Sequence, residues 1–286
     1  MTLSFVAACA TMRSGRDPLA NRDAAVALVR EAAGAGADFV QTPEMTSLLE
    51  RDRALLFEKT SPEERDPTLA GLREVARERR VWVHVGSVAI RAGEKVANRG
   101  YLIAADGEIA ARYDKVHLFD VDLPNGESWR ESRTYAGGDK AVLAATPWGD
   151  LGMTICYDVR FPALYRALAE AGASILTAPA CFTRQTGEAH WHVLHRARAI
   201  ETGSFMISAA QGGQHEDGRE TFGHSLIVDP WGRILAEGGT EPGIVAARID
   251  MALVADGRAR IPALKNARPF RVERAAELQR PLAAAE

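Results

Sequence analysis

Cysteine is scarce in this chain: three among 286 residues, Cys9, Cys156 and Cys181. The opening Met1-Thr2-Leu3-Ser4-Phe5-Val6 lacks the basic and apolar character of an export leader. Together these argue against a disulfide framework and for reduced thiols, so a cytoplasmic home is expected. Long hydrophobic runs are absent too; none approaches the roughly 20 residues of a membrane span, and no membrane partner is expected. The formal net charge is −3 and no basic block stands out, so no nucleic-acid partner is expected. The nucleotide signatures G-x-G-x-x-G and G-x-x-x-x-G-K-[ST] are missing, as are the G-x-S-x-G elbow and H-E-x-x-H. No repeat, low-complexity linker or clear boundary divides the chain. Residues 1–286 read as a single domain with a tail from about 262.

What is present is a hydrophobic content of 47%, enough for a large core. Leu3 to Cys9 is β-prone. Pro18 to Ala33 has helical composition, with Asp17 placed to cap it, and Ala37 to Val40 is a second strand. Strand, helix and strand make a parallel βαβ unit. Thr68 to Arg80, Ala163 to Glu170, Gly187 to Glu201 and Met251 to Arg260 read as further helices. Val81 to Val88, Leu151 to Ile155, Ser174 to Ala178, Phe205 to Ala210 and Ile244 to Ile249 read as strands. Asp106-Gly107 and Asp229-Pro230-Trp231-Gly232 mark turns between paired strands, and Pro124 to Gly138 reads as a loop. Helices alternating with strands, mixed with hairpins, make the fold class α/β, a sandwich with some antiparallel pairing.

Three polar residues share one place in that pattern. Glu44, Lys115 and Cys156 each follow a β-run. Side chains beyond the ends of different strands converge at one sheet edge, where α/β active sites often lie. A carboxylate can take a thiol proton as general base. An ammonium, helped by a backbone N–H beside Cys156, can hold the oxyanion of a tetrahedral intermediate. Pro162 opens a helix shortly after Cys156, and a helix N-terminus favours thiolate over thiol. Each residue also has a plainer reading: Glu44 as a cap, Lys115 as a solvated charge, Cys156 as a small core hydrophobe. Spacing alone does not choose.

Longer motifs do. Thr42-Pro43-Glu44, Tyr113-Asp114-Lys115-Val116-His117-Leu118-Phe119-Asp120-Val121-Asp122 and Gly152-Met153-Thr154-Ile155-Cys156-Tyr157-Asp158-Val159-Arg160-Phe161-Pro162 resemble the three signatures of the nitrilase superfamily, the carbon–nitrogen hydrolases. Companion matches lie at Thr186 to Trp191, Arg196 to Glu201 and Gly223 to Gly232, so the resemblance runs from about Leu3 to about Pro269. The stretches His117 to Asp122 and Ala189-His190-Trp191 are most similar to the amidase branch that contains deaminated glutathione amidase and ω-amidase.

The resemblance implies a four-layer αββα sandwich, dimerised so that sheets and helices of two subunits pack together, with the tail after Pro262 crossing to the partner. A homodimer or higher homo-oligomer is therefore expected. It implies Cys156 as nucleophile, Glu44 as general base and Lys115 as oxyanion stabiliser beside the Tyr157 backbone N–H. The family's second glutamate has two candidates, Glu127-Ser128 and Glu131-Ser132. Glu131 fits better because Gly137-Gly138-Asp139 follows at the family's P-G-D spacing, and it would orient Lys115 or substrate. The implied reaction is hydrolysis of a linear amide through a Cys thioester. The implied substrate is a 2-oxo dicarboxylic acid amide, giving 2-oxoglutarate with Cys-Gly or ammonia, and no metal or organic cofactor is implied. The triad does not separate this from an aliphatic amidase, an N-carbamoyl amino acid hydrolase or a nitrilase. A non-catalytic binding protein on the same scaffold is the alternative of a different class; the presence of all three triad residues argues against it.

Some positions depart from the pattern. Thr42 stands where relatives often have an apolar residue, which should barely matter. Cys181 replaces a small residue near the pocket; with Phe182 it is expected to form pocket wall. Glu188, His192 and His195 could share a helix face while His190 points elsewhere, and no metal site is expected there. Asp158 and Arg160 are expected to pair and frame the Cys loop. Arg196 and Arg198 are expected to be structural, and Trp148, Trp191 and Trp231 to pack.

Overall fold

A computed structural model describes residues 3–124 and 126–274. The chain begins with β1 (Ser4–Thr11), α1 (Pro18–Gly34), β2 (Phe39–Gln41), α2 (Arg53–Lys59), α3 (Pro67–Arg79), β3 (Trp82–Ala92), β4 (Lys95–Ile103) and β5 (Ile109–Asp114). Next come β6 (Asp120–Asp122), β7 (Ser128–Arg130), β8 (Tyr135–Ala136), β9 (Val142–Thr146), β10 (Gly149–Met153), α4 (Pro162–Glu170), β11 (Ile175–Thr177) and α5 (Arg184–Thr202). The last are β12 (Phe205–Ser208), β13 (Gly212–Gln214), β14 (Glu220–Phe222), β15 (Leu226–Val228), β16 (Ile234–Glu237), β17 (Gly243–Asp250) and α6 (Ala252–Arg260).

These strands make two large mixed sheets. One runs β17-β1-β2-β3-β4-β5, with β8 also on β4; the other runs β16-β15-β12-β11-β10-β9. Each has a parallel centre, β1-β2-β3 and β10-β11-β12, and antiparallel flanks. The parallel centres follow from crossover helices. Asp17 caps α1 by accepting from the Leu19 and Ala20 N–H groups, and Pro18 opens its first turn.

Alternation along β1 sends its side chains to two cores. Phe5, Ala7 and Cys9 pack with Leu151, Met153, Ile175 and Ile207 of the second sheet. Ala8 joins Val40, Val83 and Val85 against Val29 of α1 and Leu72 and Val75 of α3. On the far side of the second sheet, Tyr165 and Leu168 of α4 and Trp191 of α5 complete the first cluster. Each sheet thus has helices on one face and the other sheet on the other. Trp148 stacks on Phe5 at 4.2 Å between ring centroids and seals one end of the inter-sheet core.

Several elements differ from the sequence reading. Within Pro124 to Gly138, β7 pairs with β6 across a short turn; strands of three residues are too short to show a period. The helix α2 and the hairpin β13–β14 were not foreseen. Helix α5 starts at Arg184 rather than Gly187; the glycine inside it is a packing requirement, since a Cβ there would stand 2.3 Å from the Phe222 side chain of β14. Trp231 is 53% exposed at its turn, not packed. Of the tail expected from about 262, residues 262–274 are described, with Phe270 and Val272 exposed; the remainder lies outside the described residues. Among the described residues, no helix is long and apolar enough to cross a membrane.

Candidate active site

The loop after β2 brings Glu44 inward. Gly86 of β3 lies so close to that loop that a Cβ would stand 2.3 Å from the Thr42 carbonyl oxygen and 2.5 Å from Pro179 Cβ. Only glycine permits this approach. The Thr42 hydroxyl accepts the Gly86 N–H at 3.2 Å and the Thr46 hydroxyl at 2.8 Å. Thr42 therefore matters more than expected: its side chain ties the Glu44 loop to β3. Met45, the next residue after Glu44, holds φ at 57°, a conformation that non-glycine residues seldom take.

Glu44, Lys115 and Glu131 meet in one buried network. Lys115 Nζ donates to Glu44 Oε1 at 2.8 Å and to Glu131 Oε2 at 2.9 Å. Asn98 of β4 bridges the same two carboxylates, with Nδ2 at 2.8 Å from Glu44 Oε1 and 3.1 Å from Glu131 Oε1. Glu131 Oε2 also accepts the Phe119 N–H at 2.7 Å, and Glu44 Oε2 accepts the Cys181 N–H at 2.8 Å. Two of the three Lys115 N–H bonds are thus committed, and the third has no partner among the described residues. Burial works against the ammonium, but Glu131 and Glu44 outweigh it and hold Lys115 well above the usual lysine range. Burial likewise opposes the Glu44 carboxylate, and Lys115 outweighs it, so Glu44 is held below the usual carboxylate range. The structure places Glu131 against Lys115; Glu127 is exposed and accepts from Trp129 Nε1 at 3.2 Å.

Cys156 begins a short 3₁₀ turn, Cys156–Arg160, at the end of the second sheet. Its φ is 48°, and backbone strain of this kind collects at functional sites. Its N–H is anchored on the Pro179 carbonyl at 3.0 Å. The next residue, Tyr157, lies in the same turn and lines the cavity described below. The thiolate expectation needs correction. Helix α4 begins only at Pro162, and burial, reinforced by the neighbouring Glu44 charge, pushes the Cys156 thiol well above its ordinary value. At neutral pH the resting group is a thiol beside the Glu44 carboxylate.

A cavity of about 740 Å³ opens over this cluster. Glu44, Lys115, Glu131, Cys156, Tyr157, Cys181 and Phe182 all line it. Burial pushes the Cys181 thiol up to about 12, and Arg219 Nη1 stands 3.9 Å from its sulfur. Asp158 and Arg160 do not pair. The buried Asp158 carboxylate instead accepts from Tyr113 Oη at 2.7 Å, the Ile155 N–H at 2.9 Å and the His117 N–H at 3.0 Å. Three residues connect through it, so it frames the Cys loop without an arginine. Arg160 lies over the Phe182 ring at 5.2 Å. Arg198 Nε donates to the Val159 carbonyl and Arg196 Nε to the Gly232 carbonyl, both structural contacts. The three α5 histidines do not meet: His195 is buried with Nδ1 2.8 Å from the Trp191 carbonyl, and His190 lies beside Arg160.

Asn98 escaped the sequence reading. Its signal was a polar residue inside the apolar strand Val96-Ala97-Asn98, which must find partners when buried. Trp129, whose ring has the guanidinium groups of Arg51 at 4.5 Å and Arg219 at 5.1 Å, had no sequence signal, because β7 and the loops that carry the arginines are far apart in the chain.

A thiol, two carboxylates and an ammonium closed into one cavity of a two-sheet α/β protein are the parts of a thiol hydrolase. The carbon-nitrogen hydrolase family model matches residues 6–259, and the chain belongs to that family, whose members hydrolyse carbon–nitrogen bonds other than peptide bonds. The chain is 40% identical to a deaminated glutathione amidase of Synechocystis sp., over 92% of this chain and 97% of that protein. It is 38% identical to the deaminated glutathione amidase of Homo sapiens, over 93% of this chain and 83% of that one. Among solved structures, the C. elegans NitFhit protein superposes with a TM-score of 0.86 at 32% identity, over 93% of this chain and 66% of that one. Saccharomyces cerevisiae Nit3, of branch 10 of the nitrilase superfamily, gives 0.82 at 26% identity, over 91% and 94%.

Proposed function

We propose that this protein is an amidase that cleaves deaminated glutathione to 2-oxoglutarate and Cys-Gly through a thioester on Cys156. The observation that carries the chemistry is the Glu44–Lys115–Glu131 network, buried beside Cys156 at the floor of the cavity. Glu44 takes the thiol proton as sulfur attacks the amide carbon. The ordinary acidities oppose this transfer in the resting site, since Glu44 is held low and Cys156 high. Proton transfer and C–S bond formation therefore proceed together, while the new oxyanion is held by the free Lys115 N–H and the Tyr157 N–H. Glu44 returns the proton to the departing nitrogen as the C–N bond breaks. It then deprotonates a water that hydrolyses the thioester and restores the thiol. Glu131 and Asn98 hold Lys115 and Glu44 in place. The substrate assignment is supported by the relatives named deaminated glutathione amidase. It is also supported by the arginines Arg51, Arg130, Arg133 and Arg219 on the cavity wall, which suit a substrate with carboxylates at both ends.

Competition between deaminated glutathione and 2-oxoglutaramate, with products read by mass spectrometry, tests the assignment. Deaminated glutathione is expected to give the higher kcat/KM. Preference for 2-oxoglutaramate would make the protein an ω-amidase instead, and cleavage of neither would overturn the substrate reading.

We further propose that two copies pair through the outer face of α5 and β16. Val193, Ile200, Trp231, Ile234 and Leu235 are exposed there. Ile200 packs against the Gly232 turn, which makes the apolar residues at that end of the face contiguous. Sedimentation is expected to give a dimer that Val193→Asp dissociates; a native monomer at micromolar concentration would contradict the pairing.

A further inference from the structure

Three side chains outside the cavity form a second polar centre. His192 on α5, His224 just before β15 and Glu237 at the end of β16 converge, and none lines the cavity at Cys156. His192 Nε2 lies 2.9 Å and His224 Nδ1 2.7 Å from the same oxygen, Glu237 Oε1. All three ligand atoms fall within 4.8 Å of one another. The two rings cross at 73°, with centroids 5.9 Å apart. Their directions are set by packing. His224 holds φ at 56°, its carbonyl accepts Trp191 Nε1–H at 2.8 Å, and its ring stacks on Phe222 at 4.3 Å. His192 rides on the same helix as that tryptophan.

We propose that His192, His224 and Glu237 form a binding site for a divalent transition-metal ion of the zinc class. Two imidazoles and a carboxylate are a common protein ligand set for zinc, and water completes the fourth position. Zinc holds nitrogen and oxygen at roughly 2.0–2.1 Å, so tetrahedral donors stand about 3.3 Å apart. The bonds at 2.7 and 2.9 Å open by about 0.5 Å to admit the ion. Each imidazole binds through the nitrogen that now faces Glu237 and carries its proton on the other. No electrons move. The ion fastens α5, whose Thr186 lines the cavity, to β16 on the neighbouring sheet edge. The sequence reading missed this because only His192 lies on the helix; the other two ligands come from strand segments 32 and 45 residues on.

Chelator-treated protein titrated with zinc chloride in a calorimeter tests the site, alongside thermal melting. One equivalent is expected to bind saturably. At a free zinc concentration a hundredfold above the dissociation constant, the melting temperature is expected to rise by about 5 °C. His192→Ala, a change on a partly exposed helix surface, is expected to keep the fold by circular dichroism and weaken binding by more than about a hundredfold. Cys156→Ala/Cys181→Ala is expected to bind as the native chain does, which separates this site from the thiols. Absence of saturable binding overturns the proposal, as does zinc affinity unchanged in both His192→Ala and His224→Ala.

Discussion

Cys156→Ala is expected to turn over deaminated glutathione about a millionfold more slowly than the native chain, the scale on which loss of a covalent nucleophile acts. The change removes one buried sulfur, so folding is expected to persist, with a melting temperature within a few degrees of the native one. Cys181→Ala serves as its control. That thiol also lines the cavity, and its N–H reaches Glu44, but its sulfur faces Arg219. It is expected to keep most of the activity, because alanine retains the backbone N–H that Glu44 Oε2 accepts. Full turnover in Cys156→Ala, or collapse only in Cys181→Ala, would move the chemistry to the other sulfur.

Glu44→Gln is expected to lower kcat by about a thousandfold or more, the contribution of a positioned proton acceptor. Its second effect separates a base from a mere packing residue. In the native site burial raises the Cys156 thiol first and the Glu44 charge second, while Lys115 acts in the opposite direction. Removing the Glu44 charge deletes one raising cause and leaves Lys115 in place, so the thiol becomes more acidic. The pH midpoint for alkylation of Cys156 by iodoacetamide is therefore expected to move down. The variant should label faster than native protein at neutral pH although it hardly turns over. If labelling and turnover fall together, Glu44 acts by generating a resting thiolate and the concerted transfer is wrong. Some stability is lost as well. The glutamine amide offers one acceptor where the carboxylate offers two, so the half-buried Cys181 N–H loses its partner, at a cost of about 1 kcal/mol.

Much of this site was legible in the sequence because its residues lie just past the ends of apolar runs. Glu44 and Cys156 are fixed by short loops after β2 and β10, and Lys115 directly follows β5. The strand pattern therefore locates their backbones, and the sheets bring them to one edge. What was not legible depends on burial and on contacts between distant segments. Asn98 sits in mid-strand, where the sequence marks a polar residue in need of partners but not which ones, and they are two carboxylates from distant loops. Asp158 was expected to pair with its near neighbour Arg160, yet it bonds to Tyr113 and His117, more than 40 residues away. The ionisation of Cys156 was misjudged for the same reason. A helix terminus can be read along the chain, whereas desolvation and an adjacent carboxylate from another strand cannot. Thr42 shows the limit at the scale of one hydroxyl, whose use depends on how closely Gly86 approaches.

The central claim, that Cys156 carries the acyl group between the two halves of the reaction, is tested most directly by acid-quenching the native enzyme within its first turnovers of deaminated glutathione and mapping its peptides by mass spectrometry. The predicted result is an added mass equal to the substrate minus Cys-Gly, confined to the peptide that contains Cys156 and absent from Cys156→Ala. Active enzyme that never carries this mass in single-turnover time courses, or that carries it on Cys181, would contradict the mechanism.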